Sequence, residues 1–330
     1  MGVSIFSPAK INLFLAVTGR RSDGYHNLVS VAAPLDFGDV LEAESSGQGP
    51  SFAKVSEGTA GDLFTLECDR AEVPVDETNL ILRAARAFAA ATGWNERVAF
   101  KLTKRIPLGA GLGGGSSNAV AALRALNQLS GGRLAEARLA ELAAGLGSDC
   151  ALFLRNAPVI MRGRGSDIEV LPRAAVQRLS GRRVLLFKPA FAISTAWAYG
   201  RMAASAGTST GGSDERRSLY LPLAAAEARL AEWLRGDAAV EELFFNNLEA
   251  VAFEKYPALP VLLEKLRREF GAAAQMSGSG SACFALGGAL SGRGNGPGGQ
   301  VEPAPGTASM KGLITGCWGP SAFVQQARLA

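Results

Sequence analysis

The sequence predicts an α+β fold in two halves, and three observations predict it. The chain opens on a long run of alternating apolar residues, Val3 to Thr18, which has the period of a strand. Between Val98 and Leu129 a strand, a glycine run and a helix follow one another. Beyond Arg183 the pattern becomes mainly helical, then returns to apolar strands around Met276 and Phe284. The 330 residues suffice for one large core or two, and we expect two domains, 1–172 and 173–330. No Pro/Gly/Ser linker separates the halves, which predicts a site in a cleft that both share.

In the opening strand Ala9, Ile11, Leu13, Leu15 and Val17 alternate with Lys10, Asn12, Phe14 and Ala16, so Lys10 and Asn12 project from one face. A lysine there is either an edge residue facing water or a cation kept for a ligand, because burying an unpaired charge is costly. Asp23-Gly24 then predicts a turn that presents Tyr25 and His26, the one histidine of the chain. The histidine is either structural or, beside an aromatic, suited to a planar heterocycle. Residues 29–44 predict two strands, with Asp36 to Asp39 turning between them, and Ser45 to Ser51 predicts a loop. Phe64 to Cys68 predicts a strand. Asn79 to Thr92 predicts a helix that Gly93 stops.

The strand at 98–103 leads into Pro107-Leu108-Gly109-Ala110-Gly111-Leu112-Gly113-Gly114-Gly115-Ser116-Ser117-Asn118, with five glycines in seven positions. A helix is expected over 117–129. Glycines let the backbone close on an anion, and a helix start adds unpaired N–H groups and partial positive charge. Ser116, Ser117 and Asn118 are candidate caps that also suit phosphate or metal. A flexible surface loop is one alternative. A dinucleotide fingerprint is another, since Gly109, Gly111 and Gly114 match G-x-G-x-x-G, but a second helix near 134–145 follows where a strand is required. A nucleoside-triphosphate loop is the third. It is not of the Walker type, because no lysine follows the last glycine, so a cation must arrive from elsewhere.

Gly147-Ser148-Asp149 sets one carboxylate at the mouth of an apolar run, as a cap or as a candidate base or metal ligand. Residues 157–171 predict a hairpin and Val184 to Phe187 a strand. A helix starts near Ser194-Thr195 and carries Trp197 and Tyr199, and Ala206 to Ser213 predicts a loop. Helices are expected over 222–235, 239–254 and 257–270. Ser277-Gly278-Ser279-Gly280 forms a second glycine turn leading into a strand ending at Leu286. Residues 287–309 are Gly/Pro-rich and predict a loop, Leu313-Ile314 a last strand, and Ala322 to Leu329 a short helix.

Composition narrows the function. The chain is 48% hydrophobic with no apolar run near 18 residues, and its start lacks a basic segment and a long apolar centre. A cytoplasmic protein without membrane contact is expected. Four scattered cysteines lack metal or disulfide spacing. Net charge is +4 without a dense basic run, so nucleic acid is not an expected partner while anionic small molecules are.

Three segments together, S-P-A-K-I-N-L at 7–13, P-L-G-A-G-L-G-G-G-S-S-N-A at 107–119 and S-G-S-G-S-A-C-F at 277–284, resemble in order and spacing the three motifs of the GHMP kinase superfamily. R-R-S-D-G-Y-H-N-L, D-E-T-N-L-I-L-R-A-A and G-S-D-C-A-L-F are similar to the branch that phosphorylates CDP-methylerythritol in the non-mevalonate isoprenoid pathway. The resemblance spans nearly all of 4–286. It implies a two-domain GHMP kinase fold, with an N-terminal domain like domain 2 of ribosomal protein S5 and a C-terminal ferredoxin-like α+β domain. It implies ATP, Mg²⁺ and CDP-methylerythritol as ligands, and a monomer or homodimer. It assigns Asp149 as general base, Lys10 as the cation beside it, and Pro107 to Ser117 as the triphosphate cradle. Asn12 falls near the acceptor, Tyr25, His26 and Tyr199 at the cytidine, and Thr195 close by. Ser277, Gly278, Ser279 and Gly280 form the third motif, and the metal, without an assigned ligand set, falls near Ser117 and Asp149. The chain departs from that pattern at Cys150-Ala151, where an apolar residue and proline are usual, at 203–217, which reads as an insertion, and at 287–309, where a helix is usual.

Overall fold

Residues 1–45, 63–205, 218–236, 238–290 and 306–330 are described by the computed structural model of the chain. They begin with strands β1 (Gly2–Arg20), β2 (His26–Ser45) and β3 (Phe64–Cys68), helix α1 (Leu80–Thr92) and strand β4 (Val98–Thr103). Helices α2 (Gly114–Leu129) and α3 (Glu136–Leu146) follow, then strands β5 (Val159–Gly163) and β6 (Asp167–Val170), helix α4 (Arg173–Leu179) and strand β7 (Arg183–Lys188). Next come helices α5 (Thr195–Ser205) and α6 (Leu223–Arg235), the short strand β8 (Phe245–Asn246), and helices α7 (Leu248–Lys255) and α8 (Ala258–Phe270). Strands β9 (Ala273–Met276) and β10 (Cys283–Leu286), helix α9 (Thr307–Trp318) and strand β11 (Phe323–Arg328) complete the described chain. This mixed content is the expected α+β class. No described helix is long and apolar enough to cross a membrane.

The chain forms two compact units. The first comprises 1–9, 37–106 and 113–156, and the second 10–36, 107–112 and 157–330. In the first unit β3 runs parallel to β4, and β4 runs antiparallel to the end of β2, with Val40 opposite Thr103 and Ser45 opposite Val98. Helix α1 forms where expected because both its ends are specified. The Asn79 side chain accepts from the Ile81 N–H, and Gly93, left-handed at φ 65°, returns its N–H to Ala89. Its buried stripe is Ile81, Leu82, Ala84, Ala85 and Phe88, and α2 buries Val120, Leu123 and Leu126. The alanines keep these helices slim, while each large side chain buried this way contributes about 1.5–3 kcal/mol.

In the second unit four antiparallel strands lie in the order β11-β7-β10-β9. Phe187, Met276, Cys283 and Ala285 of these strands share one core with Met202, Leu248, Leu262, Leu266 and Ile314 of the helices. Phe14 and Leu15 pair in parallel with β8, and Leu28 to Ala32 pair with β5.

The structure corrects several local expectations. Residues 29–44 are one strand, not two. Asp39 does not turn the chain: it is buried, pairs with Lys104 and accepts the Arg105 and Ile106 N–H groups at 2.7 and 2.8 Å. Gly38 passes beside Ser7, whose carbonyl oxygen would lie 2.3 Å from a Cβ placed there. The helix expected over 239–254 is interrupted by β8, because the Asn246 and Asn247 side chains are drawn into contacts with Met276, Gly278 and Val17. Leu313-Ile314 lies in α9, with Met310 and Ile314 on its buried side. Ala322 to Leu329 is strand β11, since pairing along β7 from Arg183 to Lys188 outweighs local helix preference. Helix α4 follows Pro172 with no clear sequence periodicity. Of the loop at Ser45 to Ser51 only Ser45 is described, and it ends β2. The Ala206 to Ser213 loop lies outside the described residues, as does 291–305 of the expected 287–309 loop, whose last residues begin α9. Of the 203–217 insertion, 203–205 end α5 and the rest is likewise outside.

Candidate active site

In the second unit, β1 from Lys10 onward, the first half of the glycine run and the third motif come together. Lys10 N–H donates to the Leu112 carbonyl at 3.0 Å, and Ala282 N–H to the Ala110 carbonyl at 3.0 Å. The Ser277 hydroxyl donates to the Gly111 carbonyl at 3.2 Å. Gly111 has φ +76°, and a Cβ there would sit 2.4 Å from the Ser277 carbonyl oxygen, so no other residue fits. Beside this junction the Lys10 side chain is 4% exposed, and its Nζ donates to Asn12 Oδ1 at 2.6 Å. The alternation that put both on one face therefore holds, and an edge lysine facing water does not. Asn12 is fixed in turn, since its Nδ2 donates to Ser30 Oγ at 2.9 Å and its N–H to Ser277 Oγ at 3.3 Å. Asn246 Nδ2 holds the third motif from behind, donating to the Met276 and Gly278 carbonyls at 2.9 Å each. Thr195 is placed with this motif, its hydroxyl 2.8 Å from Ser279 Oγ.

Tyr25 and His26 follow the turn as expected, with the Asp23 carboxylate accepting the Tyr25 N–H at 3.1 Å. Their rings meet different neighbours. Tyr25 is 57% exposed, with the Arg164 guanidinium 4.1 Å from its ring centroid. The His26 ring lies 5.0 Å from that of Tyr199 and 5.9 Å from that of Tyr220. Burial, helped by the Arg20 cation, holds the imidazole below its ordinary value, so His26 is neutral at pH 7.

In the first unit α2 starts inside the glycine run, at Gly114, with left-handed Gly113 as its N-cap and no side chain capping it. Ser116, Ser117 and Asn118 are thus not caps. Ser117 is 1% exposed and accepts from Ser7 Oγ at 2.8 Å. Asn118 Nδ2 donates to Ser7 Oγ at 2.8 Å and Asp39 Oδ2 at 2.9 Å. These two residues lie on the helix face that carries Ala121, Ala122 and Ala125 into the core. The first N–H groups of α2 are left to an anion, an arrangement that favours phosphate. Asp149 follows α3 and is half-buried. The Cys150 thiol after it is fully buried, which pushes it up to about 11.

Sequence reasoning missed Asp39 and Lys104, whose buried ion pair lies under the first turn of α2. It also missed Tyr220. Asp39 looked like a turn residue, and its partner is 65 positions away. Among the described residues no group of three His, Cys, Asp or Glu side chains forms a metal cage. The oxygens of Asp149 and Ser116, both partly exposed, fit the loose demand of a Mg²⁺ carried by phosphates, whereas the Ser117 hydroxyl is buried. A cavity of about 890 Å³ in the second unit is lined by Tyr220, Phe244, Asn246, Glu249 and Gln275. It includes none of the expected substrate or catalytic residues.

Residues 79–156 match the model of the GHMP kinases N terminal domain, and 224–291 that of the GHMP kinases C terminal domain. The chain is 36% identical over 287 residues to the 4-diphosphocytidyl-2-C-methyl-D-erythritol kinase of Chlorobaculum parvum, covering 86% of this chain and 88% of that one. It is 35% identical to the kinase of the same name from Alcanivorax borkumensis, covering 86% and 82%. Among solved structures, a 4-(cytidine 5'-diphospho)-2C-methyl-D-erythritol kinase is similar at TM-score 0.69 and 29% identity, over 99% of this chain and 100% of that one. A homoserine kinase from Cytophaga hutchinsonii shares the fold at TM-score 0.67 and 16% identity, over 99% and 95%.

Proposed function

The chain belongs to the GHMP kinases, among the 4-diphosphocytidyl-2-C-methyl-D-erythritol kinases, and on that premise we propose that it transfers the γ-phosphoryl group of ATP to the 2-hydroxyl of 4-diphosphocytidyl-2-C-methyl-D-erythritol. Such a transfer passes through a loose transition state, so the protein contributes position and charge more than covalent chemistry. The uncapped start of α2 and the glycine run before it supply N–H donors to the triphosphate. Asp149 takes the proton of the attacking hydroxyl. Lys10, oriented by Asn12, offsets the charge that develops on that oxygen. Mg²⁺ carried by the nucleotide, with Asp149 and Ser116 as the oxygens available to it, would neutralise the β- and γ-phosphates. Tyr25, His26 and Tyr199 receive the cytidine by stacking and by hydrogen bonds to its edge.

The observation that carries this reading is Lys10. A lysine ammonium 4% exposed in an apolar strand, oriented by Asn12 Oδ1 at 2.6 Å beside the glycine run, suits a ligand with negative charge. It also supplies the cation that a glycine loop without the Walker lysine lacks.

The test is ADP release with ATP, Mg²⁺ and the cytidine substrate, run beside mevalonate, homoserine and galactose. Turnover confined to the cytidine substrate is expected. Turnover with another acceptor alone would leave Asp149, Lys10 and the glycine run in their roles and return Tyr25, His26 and Tyr199 to structural ones.

A further inference from the structure

We propose that Tyr220 is a positioning residue for His26: its hydroxyl donates to His26 Nε2, fixes the imidazole proton on Nδ1, and so sets which edge of the pyrimidine the site accepts. The inference rests on the proposed cytidine role of His26, and the observations behind it are independent of that role.

His26 Nε2 and the Tyr220 hydroxyl are both buried, and neither has a hydrogen-bond partner among the described residues. Their rings are neighbours, with centroids 5.9 Å apart and planes at 42°. Two orphaned polar atoms on adjacent rings are an expensive arrangement, since each buried unpaired group costs about 1–3 kcal/mol. A neutral imidazole has one acceptor nitrogen and a phenol one O–H donor, so each group supplies what the other lacks.

Tyr220 is held where this can happen. Leu221 N–H donates to the Val17 carbonyl at 3.1 Å, and Asn247 Nδ2 donates to the carbonyls of Val17 at 2.9 Å and Leu219 at 3.0 Å. The backbone on both sides of Tyr220 is thereby tied to the end of β1. The Tyr199 ring, 5.0 Å from that of His26, also packs against the imidazole and limits its rotation. Protonation also favours the proposed direction. Burial first, with the Arg20 cation second, holds His26 below its ordinary value and so neutral, and burial raises the Tyr220 phenol against the opposing pull of Arg20, which keeps its O–H proton in place to donate.

The chemical consequence is specific. With the proton on Nδ1, His26 offers a donor to the base. Cytosine carries an acceptor at N3, whereas uracil carries an N–H there, so a fixed donor accepts the first and rejects the second.

The single histidine makes the test direct. Protein labelled with ¹⁵N-histidine shows one imidazole, and its two nitrogen shifts report the tautomer. The wild-type protein is expected to show a protonated Nδ1 and an unprotonated Nε2 at pH 8. Tyr220→Phe keeps the ring and removes the hydroxyl, and should move the proton to Nε2 or give a mixture of tautomers. In turnover it should raise the KM for the cytidine substrate about tenfold, leave kcat and the KM for ATP within about twofold, and reduce preference over the uridine analogue. A protonated Nε2 in the wild type, or unchanged nitrogen shifts in Tyr220→Phe, overturns the proposal. A wild-type enzyme that does not turn over the cytidine substrate overturns the functional reading instead, while the nitrogen shifts still decide the role of Tyr220.

Discussion

Asn12 Oδ1 accepts a hydrogen bond of 2.6 Å from Lys10 Nζ, two residues back on the same face of β1. The pair makes a prediction that separates folding from catalysis. Asn12→Ala removes one charge-assisted hydrogen bond from the buried ammonium, which should cost about 1.5–3 kcal/mol of stability and lower kcat. Asn12→Asp supplies a carboxylate instead. It should preserve or raise stability, because it pairs with the ammonium, yet lower kcat by neutralising the charge that the reaction uses. Thermal melts beside steady-state rates read both effects. Full kcat in Asn12→Asp would remove Lys10 from the charge-stabilising role.

Asp149 yields the complementary prediction. It is half-buried, and Asn keeps the shape while losing basicity, so Asp149→Asn should fold with an unchanged melting temperature. It should still bind the cytidine substrate, measured by calorimetry, and lose kcat by about 10²–10⁴-fold. Near-full turnover would mean that another group takes the proton.

The parts of this site legible in the sequence were those with local signals. Strand alternation put Lys10 and Asn12 on one face, and Asn79 with Gly93 bounded α1, because each depends on residues a few positions apart. Asp39, Lys104 and Tyr220 were not legible, because their roles come from partners brought in by folding. Asp39 reads locally as a turn, and only its pairing with Lys104 and the N–H groups of Arg105 and Ile106 keeps β2 straight through it. The end of the chain fails for the same reason: β11 is a strand because β7 offers it an edge, not because of its own residues.

The Asp39–Lys104 pair beneath α2 predicts a strongly non-additive double mutant. Asp39 is fully buried and Lys104 nearly so. Asp39→Leu alone strands the ammonium and should destabilise the protein by about 3–5 kcal/mol. Lys104→Met alone strands the carboxylate at similar cost. The double variant removes both charges and should recover most of that loss, although Arg105 and Ile106 lose their acceptor. Denaturant titration of the four proteins measures the coupling. Additive losses would show that the pair is not the element holding the first turn of α2.

Glu249 predicts how stability responds to pH. It sits in the first turn of α7 and accepts the Met276 N–H at 2.8 Å, at the end of the strand leading into the third motif. Burial pushes its carboxyl from an ordinary 4.5 up to about 7, against the opposing pull of the Met276 hydrogen bond and the Arg267 charge. The sign follows from proton counting. Between pH 4.5 and 7 the folded protein holds a proton that the unfolded chain has released, so stability falls as pH rises through this window and stays low above it. A shift of this size corresponds to about 3 kcal/mol. Glu249→Gln keeps an acceptor for Met276 and never ionises. It should match the wild type near pH 4.5, exceed it by up to about 3 kcal/mol at pH 8, and flatten the profile between. Urea titrations at pH 5, 6, 7 and 8 would show this divergence, and parallel profiles for the two proteins would mean that Glu249 is ionised at its ordinary pH in the folded state.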